Sequence, residues 1–461
     1  MIPKHLWEPF SWKKYSITQG VEYPDIKKFD QVLSQLKNAP PLVTEREVKH
    51  LRELMHKAAQ GEAFILQGGD CSELLSDCNQ AQITNKFKIL LQMSVILIHS
   101  LKKPVIRIGR IAGQYAKPRT VLEETIENIT LPTYRGDMIN GYDFTKEART
   151  PDPKRMLQAY QCSGLTLNYL RALASDGFSD LHHPHAWQMD FLEKNHSAQP
   201  YQAILDSVTH ALHFFESVLG LKHDDVKRVQ FFTSHEALHL PYEAALTREV
   251  LPHQFYNLST HFPWVGMRTL SSDSAHVEYL RGIENPVGIK VGPNVHFDEL
   301  MNIISVINPQ NVSGKIVLIH RFGKNKITQK LPTLLEQLKQ EKLLCTVICD
   351  PMHGNTYTTK QGIKTRYFDD ILYELHQAFT LHHQYEIPLA GIHFEMTGDN
   401  VTECVGGSCG LSENDLSKTY TSLVDPRLNY SQALEVALKI AEWHQEIPPF
   451  VKGGDRGNFP K

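Results

Sequence analysis

Residues 286–321, PVGIKVGPNVHFDELMNIISVINPQNVSGKIVLIHR, hold the pattern that decides the fold. Val287–Val291 is a short apolar run of β character, Asp298–Ile307 carries apolar residues at helical spacing, and Lys315–Arg321 returns to a β-like run. Outward from this strand–helix–strand unit, β-like runs recur at Ala63–Gln67, Pro104–Ile108, Val229–Thr233, Trp264–Arg268, Thr346–Cys349 and Gly391–Glu395. Helical patterns lie between them at Gln80–Ser100, Leu331–Glu341 and Asp369–His382. Eight such strands alternating with helices predict an α/β fold, a (β/α)8 TIM barrel. There is no fixed-period repeat of the kind that marks a solenoid.

Two regions exceed a minimal barrel. Residues 1–55 precede the first strand, include the joint Pro40-Pro41, and read as an N-terminal extension. Residues 112–228 are too long for one crossover, and Arg155–Ala174 and Tyr201–Leu219 within them have helical periodicity. The expected organisation is a catalytic barrel over 56–450, with a helical elaboration over about 146–228 between the second and third strands. Residues 451–461, Gly-rich and charged, read as a flexible tail.

The composition, 41% hydrophobic and 21% charged over 461 residues, excludes a disordered chain. Lys+Arg 48 against Asp+Glu 51 leaves a net charge of -3, so no global field draws nucleic acid or an anionic membrane. Any anion must be held by a local cluster. The first residues lack the apolar core of a signal peptide, and the longest apolar stretch, Ile89–Leu101, is broken by Gln92, Ser94 and His99. A cytoplasmic protein with seven reduced cysteines and no membrane partner is expected.

Chemistry in such a barrel collects at the C-terminal ends of the strands. Arg110, Lys117, Arg119, Arg268, Lys290 and Arg321 fall there, so six cations converge on one face of a near-neutral protein. Unneutralised buried cations are costly, and arginine suits phosphate and carboxylate, so substrates with more than one such group are implied. Cys71, His353 and Glu395 fall at three other strand ends, where thiolate, imidazole and carboxylate together suit a divalent transition metal.

Other clusters carry less. His235-Glu236-Ala237-Leu238-His239 matches the zinc-protease pattern HExxH, which needs a helix, yet it follows a β-like run and is followed by Pro241. His182-His183-Pro184-His185 and His382-His383 read as solvated surface. The pairs Cys345/Cys349 and Cys404/Cys409 have no His nearby in sequence and no CxxC spacing, which argues against structural zinc.

The strand-end blocks FILQGGDCSE (64–73), GRIAGQYAKPRT (109–120), YRGDMING (134–141), SHEAL (234–238), NPVGIKVGP (285–293), DPMHGNT (350–356), EMTGDNVTECVGG (395–407) and DPRLN (425–429) resemble the type II, plant-like 3-deoxy-D-arabino-heptulosonate 7-phosphate synthases. The resemblance implies condensation of phosphoenolpyruvate with erythrose 4-phosphate, the first step of the shikimate pathway. It implies Cys71, His353, Glu395 and Asp425 as metal ligands, with Mn²⁺ or Co²⁺ expected first and Fe²⁺ or Zn²⁺ as further occupants. It gives Arg110, Lys117, Arg268, Lys290 and Arg321 to phosphoenolpyruvate, and Arg119 and Thr120 to the phosphate of erythrose 4-phosphate. Lys117, with Arg110 and Lys290, would carry the catalytic steps, and a homo-oligomer, dimer or tetramer, is expected.

The sequence departs from the family at Met267 and Leu270, where Glu and Arg are usual, at His320, where an apolar residue precedes Arg321, and at Val424, where Cys is common. A non-catalytic regulatory paralogue and another metal-dependent phosphosugar aldolase are the alternatives on this fold. Retention of all four implied ligands argues against the first.

Overall fold

The computed structural model describes residues 6–175, 203–204, 206–207 and 229–446. Strands β1 (Phe64–Gly69), β2 (Val105–Arg110), β3 (Phe232–Glu236), β4 (Phe262–Val265), β5 (Val287–Val291), β6 (Ile316–His320), β7 (Thr346–Cys349) and β8 (Gly391–Glu395) pair in sequence order, and β8 closes on β1. Every pairing in this closed barrel is parallel, as the strand–helix alternation requires. The main helices are α1 (Ile26–Asn38), α2 (Glu45–Ala59), α3 (Gln80–Leu101), α4 (Lys154–Ser175), α5 (Leu240–Ala245), α6 (Ala275–Gly282), α7 (Phe297–Ile307), α8 (Ile327–Gln340), α9 (Phe368–Gln384) and α10 (Tyr430–Glu446).

Because side chains alternate along a strand, each strand contributes to two layers. Ile65, Ile106, Ile108, Phe232, Phe262, Trp264, Val317, Ile319 and Ile348 fill the barrel interior. Leu66, Val287, Ile289, Val291, Ile316, Leu318, Val347, Cys349, Ile392 and Phe394 face the surrounding helices. The same period carries Arg110, Glu236, Lys290 and Glu395 inward at the strand ends, and turns His320 and Cys349 outward.

The N-terminal extension closes the other end. Thr44 and Glu47 form a reciprocal capping box at the start of α2, satisfying donors that the first turn would leave bare. The stripe Val48, Leu51, Met55 and Ala58 is buried, and the last three join the interior cluster of the barrel. Val48, Leu51 and Met55 each contribute on the order of 1.5–3 kcal/mol by burial.

The third strand lies three residues further along than the expected Val229–Thr233, and the fourth ends three residues before Arg268. Polar Thr233 and Ser234 resemble a strand end, but Thr233 bonds His261 and Gln67 Nε2 donates to Ser234 Oγ (3.0 Å) inside the barrel, so the ladder runs through them. The segment after β2 forms an exposed hairpin (Glu123–Ile126 with Ile129–Pro132), a single turn Lys146–Arg149, and α4. Of the expected Tyr201–Leu219 helix only 203–204 and 206–207 are described, and these are helical; the His182–His185 cluster and the 451–461 tail lie outside the described residues. No helix among the described residues is long and apolar enough to cross a membrane.

Candidate active site and metal centre

The strand ends open into a cavity of about 540 Å³ lined by six cations: Arg110, Lys117, Arg268, Lys290, Arg321 and Lys364. Gly69 permits this crowding at β1. It takes a positive φ of 144°, and a Cβ there would lie 2.7 Å from the Arg110 carbonyl oxygen.

Cys71, Glu395 and Asp425 bring one donor atom each within 4.8 Å of one another, and His353 Nε2 lies 2.9 Å from Glu395 Oε1. The four implied ligands therefore meet in space, although Asp425 follows β8 by 30 residues. Lys117 Nζ sits among them, 2.6 Å from Cys71 Sγ, 2.7 Å from Asp425 Oδ2 and 3.8 Å from Glu395 Oε1. An ammonium held by sulfur and two carboxylates shows that this pocket is built to hold positive charge. Its N, S and O donors fit a divalent transition ion.

The surroundings fix these groups. Arg366 Nη2 (2.7 Å) and Arg110 Nη2 (3.1 Å) pair with the two oxygens of Glu395. Asp350 accepts from Lys290 Nζ (2.7 Å) and bonds His353 Nδ1 (2.7 Å), which orients Nε2 toward Glu395. Burial alone would raise the Glu395 and Asp425 carboxyls. His353 and Lys117 respectively lead the opposing effects and hold both far below the usual carboxylate range. Burial and Glu395 push the Cys71 thiol up despite Lys117, so a metal must displace its proton. Burial would lower Lys117, yet Asp425, Cys71 and Glu395 outweigh it and keep the ammonium charged. Lys290 goes the other way: burial pushes it down to about 8 against the pull of Asp350.

Arg119 and Thr120 stand at the rim. The main chain of Arg119 is bonded on both sides by Gln19 of the extension, and Thr120 Oγ1 accepts from Arg268 Nη2 (2.9 Å). Arg321 lines the cavity and donates to the His353 carbonyl, with its Nε unpartnered. Met267 lines the cavity, Leu270 packs at the edge of the core, and Val424 covers Cys71.

Several residues here carry no assigned role in the sequence analysis. Glu236 lines the cavity, its Oε1 has no partner, and burial pushes its carboxyl up against four nearby cations. His393 bonds Arg110 Nη1 (2.6 Å) and Lys290 Nζ (3.1 Å). The His393/Glu395 spacing of two, one inward face of a strand, was the signal for it. Arg366 lies in a hairpin after β7 and had no strand-end signal.

The HExxH reading fails on geometry. His235 lies in β3 and bonds Glu243 (2.8 Å), whereas His239 precedes α5 and bonds Tyr23 (3.0 Å). His382, expected at the surface, is buried, while His383 is exposed.

A parallel barrel with clustered cations over a mixed N, S and O donor set defines an enzyme acting on small anionic molecules. The sequence profile of the class-II DAHP synthetase family matches residues 7–441, and the chain belongs to that family. It is 43% identical over 458 residues to a phospho-2-dehydro-3-deoxyheptonate aldolase of Neurospora crassa, covering 95% of each chain. It is 43% identical over 437 residues to the protein of that name from Streptomyces coelicolor, covering 95% of this chain and 97% of the relative. It is 38% identical over 435 residues to the one from Mycolicibacterium smegmatis, covering 93% and 92%.

Proposed function

We infer that the chain condenses phosphoenolpyruvate with erythrose 4-phosphate and water, giving 3-deoxy-D-arabino-heptulosonate 7-phosphate and phosphate. The observation that carries this reading is the cation-lined cavity above Cys71, His353, Glu395 and Asp425 in a chain of this family. Arg110, Arg268, Lys290 and Arg321 bind the phosphate and carboxylate of phosphoenolpyruvate. Arg119 and Thr120, at the rim, take the distal phosphate of erythrose 4-phosphate. Cys71, His353, Glu395 and Asp425 would hold a divalent metal, Mn²⁺ or Co²⁺ in preference to Fe²⁺ or Zn²⁺, supplying Lewis-acid polarisation of the aldehyde.

C3 of phosphoenolpyruvate attacks the aldehyde carbon, and Lys117, held protonated, delivers a proton to the oxygen that becomes the new hydroxyl. Water adds at C2, with Glu236 assigned to accept its proton, and phosphate leaves by cleavage of the C2–O bond. The surrounding cations stabilise negative charge throughout. Arg110, Lys117 and Lys290 are buried, which keeps water from screening their share of that effect.

The chain acts as a homo-oligomer in this reading, with the exposed apolar residues Val121 and Leu122 before the hairpin and Ile126 and Ile129 within it available for subunit contact. Phosphate release per phosphoenolpyruvate consumed, with erythrose 4-phosphate and with other aldoses, tests the activity. Equal rates with unrelated aldoses would replace this reading with that of a broader aldolase.

A further inference from the structure

A second set of metal-ligating groups lies on the outer face of the barrel, one residue behind the cavity. His320 ends β6, Cys349 ends β7, and Glu374 reaches in from α9; one donor atom from each lies within 4.8 Å of the others, and all three side chains are fully buried. Sequence spacing does not mark this cluster, because Cys349 follows His320 by 29 positions and Glu374 follows Cys349 by 25.

The orphaned atoms point to a ligand. Neither ring nitrogen of His320 has a hydrogen-bond partner. Its ring is stacked between Phe322 (5.6 Å, 15°) and His382 (5.6 Å, 22°), so it is fixed by packing without polar contact. A buried polar group left without a partner costs about 1–3 kcal/mol, and such groups are rare in folded proteins. His382 bonds the Ile387 carbonyl through Nδ1 (2.9 Å), which leaves its Nε2 as a bare, unpartnered acceptor beside His320. Glu374 Oε1 accepts from the main-chain N–H groups of Phe322 and Gly323 (both 2.8 Å), and Oε2 accepts from Asn355 Nδ2 (2.7 Å). Its carboxylate is thereby oriented, with lone-pair capacity left on Oε2.

We propose that His320, Cys349 and Glu374 form a second, structural site for a zinc-class divalent cation. A dication with one thiolate, one carboxylate and a neutral imidazole sums to zero charge, the combination that a fully buried pocket accepts at least cost. Imidazole, sulfur and a single carboxylate are the donors that zinc and cobalt take in tetrahedral sites, with His382 the nearest further donor. Binding removes the Cys349 proton and the Glu374 proton wherever these are held. It also ties the ends of β6 and β7, and so Arg321 and Asp350, to α9.

The test uses full-length protein purified from cobalt-supplemented cells, so that a buried site fills during folding. Thiolate ligation gives a near-ultraviolet sulfur-to-cobalt charge-transfer band. Cys71→Ser protein is expected to keep this band and about one bound cobalt per chain, against about two in the wild type. His320→Leu or Cys349→Ser, added to Cys71→Ser, is expected to remove both. His320→Leu places an apolar residue where packing is already apolar, so folding is retained and checked by circular dichroism. A band lost with Cys71→Ser alone, or kept when His320 and Cys349 are both replaced in the Cys71→Ser protein, overturns the proposal. A band unaffected by Cys71→Ser but present at one cobalt in the wild type would sustain this site and refute Cys71 as a ligand.

Discussion

Arg321→Ala probes the cavity where its chemistry is most exposed to measurement. The guanidinium lines the cavity, its Nε has no partner, and Nη2 donates to the His353 carbonyl. Removing it deletes one charge-assisted contact to phosphoenolpyruvate, a loss of about 1.5–3 kcal/mol. At about 1.4 kcal/mol per factor of ten, KM for phosphoenolpyruvate should rise roughly 10- to 150-fold. The bond to His353 adds a second effect. A neutral backbone acceptor is worth about 0.5–1.5 kcal/mol, so kcat should fall by up to roughly tenfold as the His353 loop loosens. Folding should change by less than about 1 kcal/mol, because burial beside other cations already disfavours the charged form of Arg321. The assay is steady-state phosphate release with each substrate varied in turn. An unchanged KM for phosphoenolpyruvate, or a rise confined to erythrose 4-phosphate, would refute the placement of Arg321 on the first substrate.

Three further outcomes are expected. Lys290 is pushed down to about 8, so the free enzyme loses this cation as pH rises through that value, and kcat/KM for phosphoenolpyruvate should fall above it. Lys290→Arg, which does not titrate in this range, should flatten that limb in a pH–rate profile; for stability the sign is opposite, since deprotonation between about 8 and 10.5 relieves a buried charge. Glu236→Gln removes the proton acceptor while leaving the cations less neutralised, so kcat should fall about 10²- to 10⁴-fold without a weaker KM for phosphoenolpyruvate; an unchanged kcat would dismiss Glu236 from the chemistry. His239→Ala loses a buried bond to Tyr23 and should cost about 1–3 kcal/mol in urea unfolding while kcat is nearly kept.

Much of the barrel was legible because strand and helix periods differ and because every barrel strand is followed by its helix. α7, expected over Asp298–Ile307, runs Phe297–Ile307, since Leu300, Ile303, Ile304 and Ile307 mark one face plainly. The third strand starts later than expected because Thr233, Ser234 and His235 look polar in sequence, whereas their partners lie just before β4, in β1 and in α5. The cations at the strand ends were readable from position alone. Asp425 and Arg366 were not, because both reach the mouth from outside the barrel strands. His382 was misread as surface since a His-His pair near a helix end has no sequence mark of which ring turns inward.

The central claim is a metal-dependent condensation at the mouth of this barrel. Turnover by chelator-treated enzyme, measured as phosphate release with both substrates before and after adding back single metals, tests it most directly. Soft and hard donors together disfavour ions that prefer all-oxygen shells. Activity should vanish on chelation, return with Mn²⁺ or Co²⁺ and return poorly with Mg²⁺, and Cys71→Ser should need far more metal for the same rate. Full turnover in rigorously metal-free protein, or wild-type metal affinity in Cys71→Ser, would contradict the account.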